Sequence, residues 1–178
     1  VFCIIILFQF INRDADSAYT RQLVNERVQK DGEFRTAASS PIPKADRAKF
    51  KSLAYFPPQE AYVVEAKLEP GIGTDTIILQ TTSGTDRKLL EAGTLVFSLH
   101  KREHKLSAFR YLDGVRNTLF VPFKDLSSGK STYGGGRYLE TIVKPGKAIE
   151  LDFNRTYNPY CVYNAEYVCP LPPPENKL

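Results

Sequence analysis

From Tyr62 onward, apolar and polar positions alternate with a period of two: Tyr62, Val64, Ala66 and Leu68 against Val63, Glu65, Lys67 and Glu69. Successive side chains of an extended chain point to opposite faces, so this alternation predicts a half-buried strand. The segments TIILQTT, GTLVFSLH, LSAFRYL, TLFVPF, RYLETIV and AIELDF repeat the theme, separated by the turn signals SG, DG, SSG and PG. Seven short strands with no helical period between them predict a mainly β fold, an antiparallel meander closed into a small barrel or sandwich.

A different period precedes it. DADSAYTRQLVNERVQKDG predicts one N-terminal helix over 14–32, capped by Asp16 or Ser17, with Leu23, Val24 and Val28 in one thin apolar arc and Gly32 as its stop. Residues 33–53, with the Pro-x-Pro of TAASSPIPKADRAKF, read as a linker. The β-domain and its C-terminal strap are expected over 54–178, with Tyr55 and Phe56 as anchors before two prolines. Residues 1–13 open with VFCIIILFQFI, too short to span a bilayer but the size of the apolar region of a secretory signal. A first strand or a buried helix turn is the alternative. The absence of methionine, even at position 1, fits a processed or N-terminally incomplete chain. The expectation is an exported bacterial protein, periplasmic or anchored in the cell envelope, that meets the membrane only through this segment.

Composition changes this picture little. The 178 residues are 42% hydrophobic and 25% charged, as in a globular domain. The net charge of +4 comes from basic residues interspersed with acidic ones, as in DRAKFK and HKREHK, so no basic stripe supports nucleic-acid binding. With Cys3 in the leader, Cys161 and Cys169 remain; in an oxidising compartment they are expected to form a disulfide, and two free buried thiols are the alternative.

Several stretches invite a chemical reading. LSSGKST resembles a phosphate loop but has Lys124 where that loop needs a glycine, and it lies between strands; it reads as a hairpin loop. His100 and His104 flank a hairpin with no third ligand nearby, so they read as exposed turn residues, with neither metal nor cofactor expected. In YGGGRYL, Gly134, Gly135 and Gly136 permit either a tight bend or a wall of amides beside Arg137 that receives an anion. Ile149, Leu151 and Phe153 share one face, which leaves Asp152 on the other, either capping the next turn with Asn154 or acting as a base. Asn154-Arg155-Thr156 is also a glycosylation sequon, relevant only in a eukaryotic protein.

Three stretches, FKSLAYFPPQEAYVVEAKLE, TLFVPFKDLSSGKSTYGGGRYLE and LDFNRTYNPYCVYNAEYVCPLPPPENKL, resemble an uncharacterised bacterial and archaeal family, domain of unknown function 1684. The resemblance spans roughly Phe50 to Leu178 and implies a β-rich domain. Longer relatives carry a further N-terminal β-region and continue past the position of ENKL. The resemblance implies no activity. It marks Phe123, Asp125, Gly129, Thr132, Tyr133, Gly134, Gly136, Arg137, Tyr138, Asp152, Phe153, Asn154, Tyr157, Asn158, Pro159, Cys161, Cys169, Pro170, Pro172 and Asn176 without roles.

Together these readings predict that the tyrosine- and proline-rich strap folds back over the glycine bend and brings Arg137 and Asp152 together. The expected site for a small polar or anionic molecule comprises Tyr133, Gly134, Gly135, Gly136, Arg137, Asp152, Asn154, Tyr157, Asn158, Glu175 and Asn176. Two alternatives stand beside this binding module: a hydrolase using Asp152 or Glu175 with Arg137, and an envelope protein with a purely structural role.

Overall fold

The computed structural model describes residues 17–71, 76–114 and 117–178. They divide into two compact units, one up to Ala61 and one from Tyr62 onward. The leader, Cys3 included, lies outside the described residues. No helix among the described residues is long and apolar enough to cross a membrane.

The first unit is built on helix α1 (Ala18–Thr36), whose N-cap Ser17 accepts a hydrogen bond from the Thr20 amide. The helix does not stop at Gly32. A glycine weakens a helix interior without forbidding it, and the chain turns only at Ala37, which adopts an extended conformation. Of the predicted apolar arc, Leu23 is buried while Val24 and Val28 are exposed. The helix is held along its length by polar ties one turn apart. Arg35 donates to the Lys51 carbonyl, Asp31 accepts from the Leu53 amide, and Arg27 donates to the Phe56 carbonyl. The segment read as a linker therefore runs back along the helix, and Arg47 fixes its Pro-x-Pro bend by donating to the carbonyls of Ile42, Ala37 and Ser40.

The second unit contains seven antiparallel strands: β1 (Val63–Pro70), β2 (Thr76–Gln80), β3 (Asp86–Leu99), β4 (Arg102–Arg110), β5 (Thr118–Phe123), β6 (Arg137–Ile142) and β7 (Ile149–Asp152). They pair in the order β6-β5-β4-β3-β1-β7, with β2 beside β3. The end strands approach each other where the Thr141 hydroxyl of β6 donates to the Glu150 carbonyl of β7 at 2.7 Å. The sheet is a nearly closed barrel. The long strand β3 serves two partners on one edge, β2 along its first half and β1 along its second. The ladder is interrupted between Glu91 and Gly93. Gly93 has φ +127°, and a Cβ there would lie 2.2 Å from the Glu69 carbonyl oxygen, so only glycine permits this bulge.

Strand alternation sorts the side chains into two clusters. Leu95, Phe97, Leu106, Ala108, Leu119, Val121, Phe123, Leu139, Ile149 and Leu151 fill the barrel interior. Leu79, Leu89, Phe109, Phe120 and Tyr138 point outward and are nevertheless buried. That outer face is where the C-terminal strap lies.

Candidate functional site: the strap and the glycine corner

The strap begins at β6, where Tyr157 and Tyr138 exchange backbone hydrogen bonds of 2.9 and 3.0 Å. It passes the end of β2, with the Thr82 amide bonded to the Cys169 carbonyl and the Leu171 amide to the Gln80 carbonyl. It then reaches the start of the β5–β6 loop, where Lys124 bonds to the backbone of Asn176 and Leu178. Underneath, the tyrosines seal the outer cluster: Phe120 and Tyr138 meet edge to face with centroids 4.7 Å apart, and Tyr138 meets Tyr157 at 5.7 Å. The Tyr138 hydroxyl donates to the Pro170 carbonyl. Burial, with the Glu140 charge and the hydrogen bond the Tyr157 hydroxyl makes to Glu140, raises the pKa of Tyr157; burial likewise raises those of Tyr138 and Tyr111.

The strap does cross the glycine bend. Gly136 has φ +96°, and a Cβ there would lie 2.6 Å from the Phe123 carbonyl oxygen and 2.7 Å from Pro172 Cγ. Gly135 lies under the Tyr133 ring, 2.3 Å from a Cβ position, and Gly134 faces Gly129. These glycines let three segments approach closely.

Arg137 and Asp152 both make contacts within the same stretch, 152–156. Arg137 Nη2 binds Asp125 Oδ2 at 2.6 Å, its Nη1 donates to the Thr156 hydroxyl at 2.9 Å, and its guanidinium lies 5.5 Å from the Phe123 ring centre. Asp152, almost fully buried, accepts from the Asn154 amide and Asn154 Nδ2 through Oδ1, and from Arg155 Nε through Oδ2 at 2.8 Å. It caps the short 3-10 turn Phe153–Arg155. Arg137 thus has an acidic partner in Asp125, to which sequence reasoning gave no role. Asp125 also organises the loop, accepting from the Ser127 amide and hydroxyl. Burial disfavours its charge, but the Ser127 hydrogen bond and the adjacent guanidinium prevail and hold its pKa below the ordinary value.

Asn176 is wholly buried, for a reason that lies in β5. Strands β4 and β5 pair at Phe109 and Phe120; the next pair in register would be Ser107 and Pro122. Proline has no amide hydrogen, so that pair cannot close its ladder. The Asn176 carboxamide takes the vacancy: Oδ1 accepts from the Ser107 amide at 2.7 Å, while Nδ2 donates to the Ser107 carbonyl at 2.9 Å and the Pro122 carbonyl at 2.7 Å. Glu175 stays exposed, 3.4 Å from the Ser107 hydroxyl.

The remaining predicted residues are more open. Tyr133 and Asn158 are half-buried, and Tyr160 is exposed with its ring edge to face against Tyr167, centroids 5.3 Å apart. Among the described residues, the Asn158 side chain makes no hydrogen bond.

Cys161 and Cys169 are free rather than disulfide-bonded, with the Cys161 amide donating to Cys169 Sγ at 3.4 Å. His100 occupies the β3–β4 turn, edge to face with Tyr62, whereas His104 lies half-buried in β4, stacked on Phe97; the expectation of two exposed turn residues holds for His100 alone. No group of three or more His, Cys, Asp or Glu among the described residues is arranged to hold a metal. A recess of about 550 Å³ lined by Glu65, Lys67, Val96, Ser98, Glu103 and Ala148 contains none of the predicted site residues.

Helix α1, a nearly closed antiparallel barrel and a strap sewn across its outer face define a small β-barrel protein with a polar corner at Arg137. The chain belongs to the family described as protein of unknown function (DUF1684), which it matches over residues 48–178. It is similar to an uncharacterized protein of Haloarcula marismortui, from gene locus rrnAC0354, whose structure was solved in solution by NMR. The two are 38% identical, with 90% of this chain and 89% of that one covered and a TM-score of 0.69. No curated protein matches.

Proposed function

We propose that this protein is an exported, cell-envelope binding module that holds a small polar molecule, a sugar foremost, on the tyrosine-rich face of its strap. The observation that carries this reading is Asn158. Its half-buried amide has no hydrogen-bond partner among the described residues, although the other polar side chains of the corner are engaged. An amide offers two donors and an acceptor, and the exposed Tyr160 two residues away adds a flat apolar surface. An unmatched amide two residues from an exposed aromatic ring suits a ligand with hydroxyls on one edge and C–H groups on a face.

The expected participation of Arg137 is narrower than the sequence suggested, because an anion would have to displace Asp125 at 2.6 Å. A hydrolytic role gains no support from Asp152, whose two oxygens are committed to Asn154 and Arg155. Export rests on the apolar opening segment and is checked by fractionating cells that express the native gene.

The binding reading is tested by thermal shift of the wild-type, Asn158→Ala and Tyr160→Ala proteins against sugars, nucleotides and organic acids. A sugar that raises the wild-type Tm, with a smaller shift in both variants, is expected. No shift with any class, or shifts that both variants retain in full, overturns the proposal.

A further inference from the structure

The two free cysteines are not merely near each other. The Cys161 amide donates to Cys169 Sγ at 3.4 Å. Both cysteines belong to the outer cluster, packed with Tyr138, Tyr157 and Tyr167. The chain holds both cysteines from behind. Cys161 lies in the short 3-10 turn Tyr160–Val162, while the amide of Cys169 donates to the Thr82 hydroxyl and its carbonyl accepts from the Thr82 amide. The sulfurs differ in access, Cys161 being half-buried and Cys169 buried.

We propose that Cys161 and Cys169 form a redox-active dithiol, with Cys161 as the entry thiol and Cys169 as the resolving thiol, that exchanges with small-molecule disulfides. Cys161 loses its proton to water and its thiolate attacks one sulfur of a disulfide such as oxidised glutathione, expelling one glutathione thiolate and forming a mixed disulfide. Cys169, deprotonated in turn, attacks Cys161 Sγ and expels the second glutathione. The protein loses two electrons and two protons, and the disulfide is reduced to two thiols. Unequal access sets this order. Burial raises the Cys169 pKa to about 11, so little of it is thiolate near neutral pH, and it reacts only with a sulfur already delivered beside it.

The bond would tie the Tyr160–Val162 turn to the strand end at Thr82, locking the strap over the outer cluster. In an oxidising compartment the locked form is the resident one, and in a reducing cytosol the dithiol is. This inference is independent of any ligand at Asn158, and so are its tests.

The test incubates the full chain with oxidised and reduced glutathione at graded ratios, alkylates the remaining thiols and maps the cysteines by mass spectrometry. In the wild type, a Cys161–Cys169 bond that reduction reverses is expected, with a higher Tm for the oxidised form. Cys169→Ser should accumulate glutathione on Cys161, and Cys161→Ser should leave Cys169 unmodified in folded protein. Both thiols remaining alkylatable in the folded wild type at the most oxidising ratio would overturn the proposal. So would glutathione on Cys169 in the folded Cys161→Ser protein. If a variant fails to fold, mapping the wild type with and without urea decides: the proposal requires bond formation in the folded chain to exceed that in urea.

Discussion

At the scale of single residues, Asn176 shows how a polar side chain can stand in for backbone. Its carboxamide presents a donor and an acceptor as a peptide group does, and it fills the one ladder position that Pro122 leaves open. Asn176→Ala strands the Ser107 amide and carbonyl and the Pro122 carbonyl. At about 1–3 kcal/mol for each unsatisfied buried group, the loss should reach at least about 3 kcal/mol, read as a lower urea midpoint. Asn176→Asp should also destabilise, since an ionised carboxylate cannot donate to either carbonyl. The sequence carried half of this: a proline inside the strand pattern TLFVPF announces a missing donor. It did not carry the identity of the group that supplies it, because Asn176 and Ser107 are 69 positions apart. The role of Asp125 was missed for a similar reason. As part of LSSGKST's flank it looked like loop, and only the closed β5–β6 hairpin brings it to Arg137.

At the scale of elements, alternation was a sound guide because barrel strands have one face that must be apolar. The seven strand segments all appear, with β3 extended toward its N-terminus by charged residues that pair with β2. The helix was less legible. Its hold on the following segment comes from Arg27, Asp31 and Arg35, spaced one turn apart, which hydropathy does not register. The β3–β4 turn is a second departure: His100 and Lys101 have φ of +52° and +62°, the two-residue geometry that favours Asn-Gly. Lys101→Gly should therefore stabilise the domain by about 1 kcal/mol, the lower end of the cost of a left-handed residue with a side chain. A raised urea midpoint is the expected readout.

At the scale of the whole molecule, stability should fall on both sides of neutrality, through different groups. Asp125 holds its proton less tightly in the folded chain than in the unfolded one. Its contribution is complete above the ordinary carboxylate range and lost as pH falls through the depressed value. Cys169 is the reverse: its contribution is complete below its ordinary value of 9.0 and lost as pH rises toward about 11. Urea midpoints measured across pH should show Asp125→Asn flattening the acid limb. Cys169→Ser should flatten only part of the alkaline limb, because Tyr111, Tyr138 and Tyr157 share that direction.

The carboxamide graft between β4 and β5 also bears on how such a chain emerges from a ribosome. Until the segment bearing Asn176 has cleared the exit tunnel, Ser107 and Pro122 face each other across an open slit, wet and unpaired. Closure of the β4–β5 seam is therefore expected only once the segment that carries Asn176 has emerged.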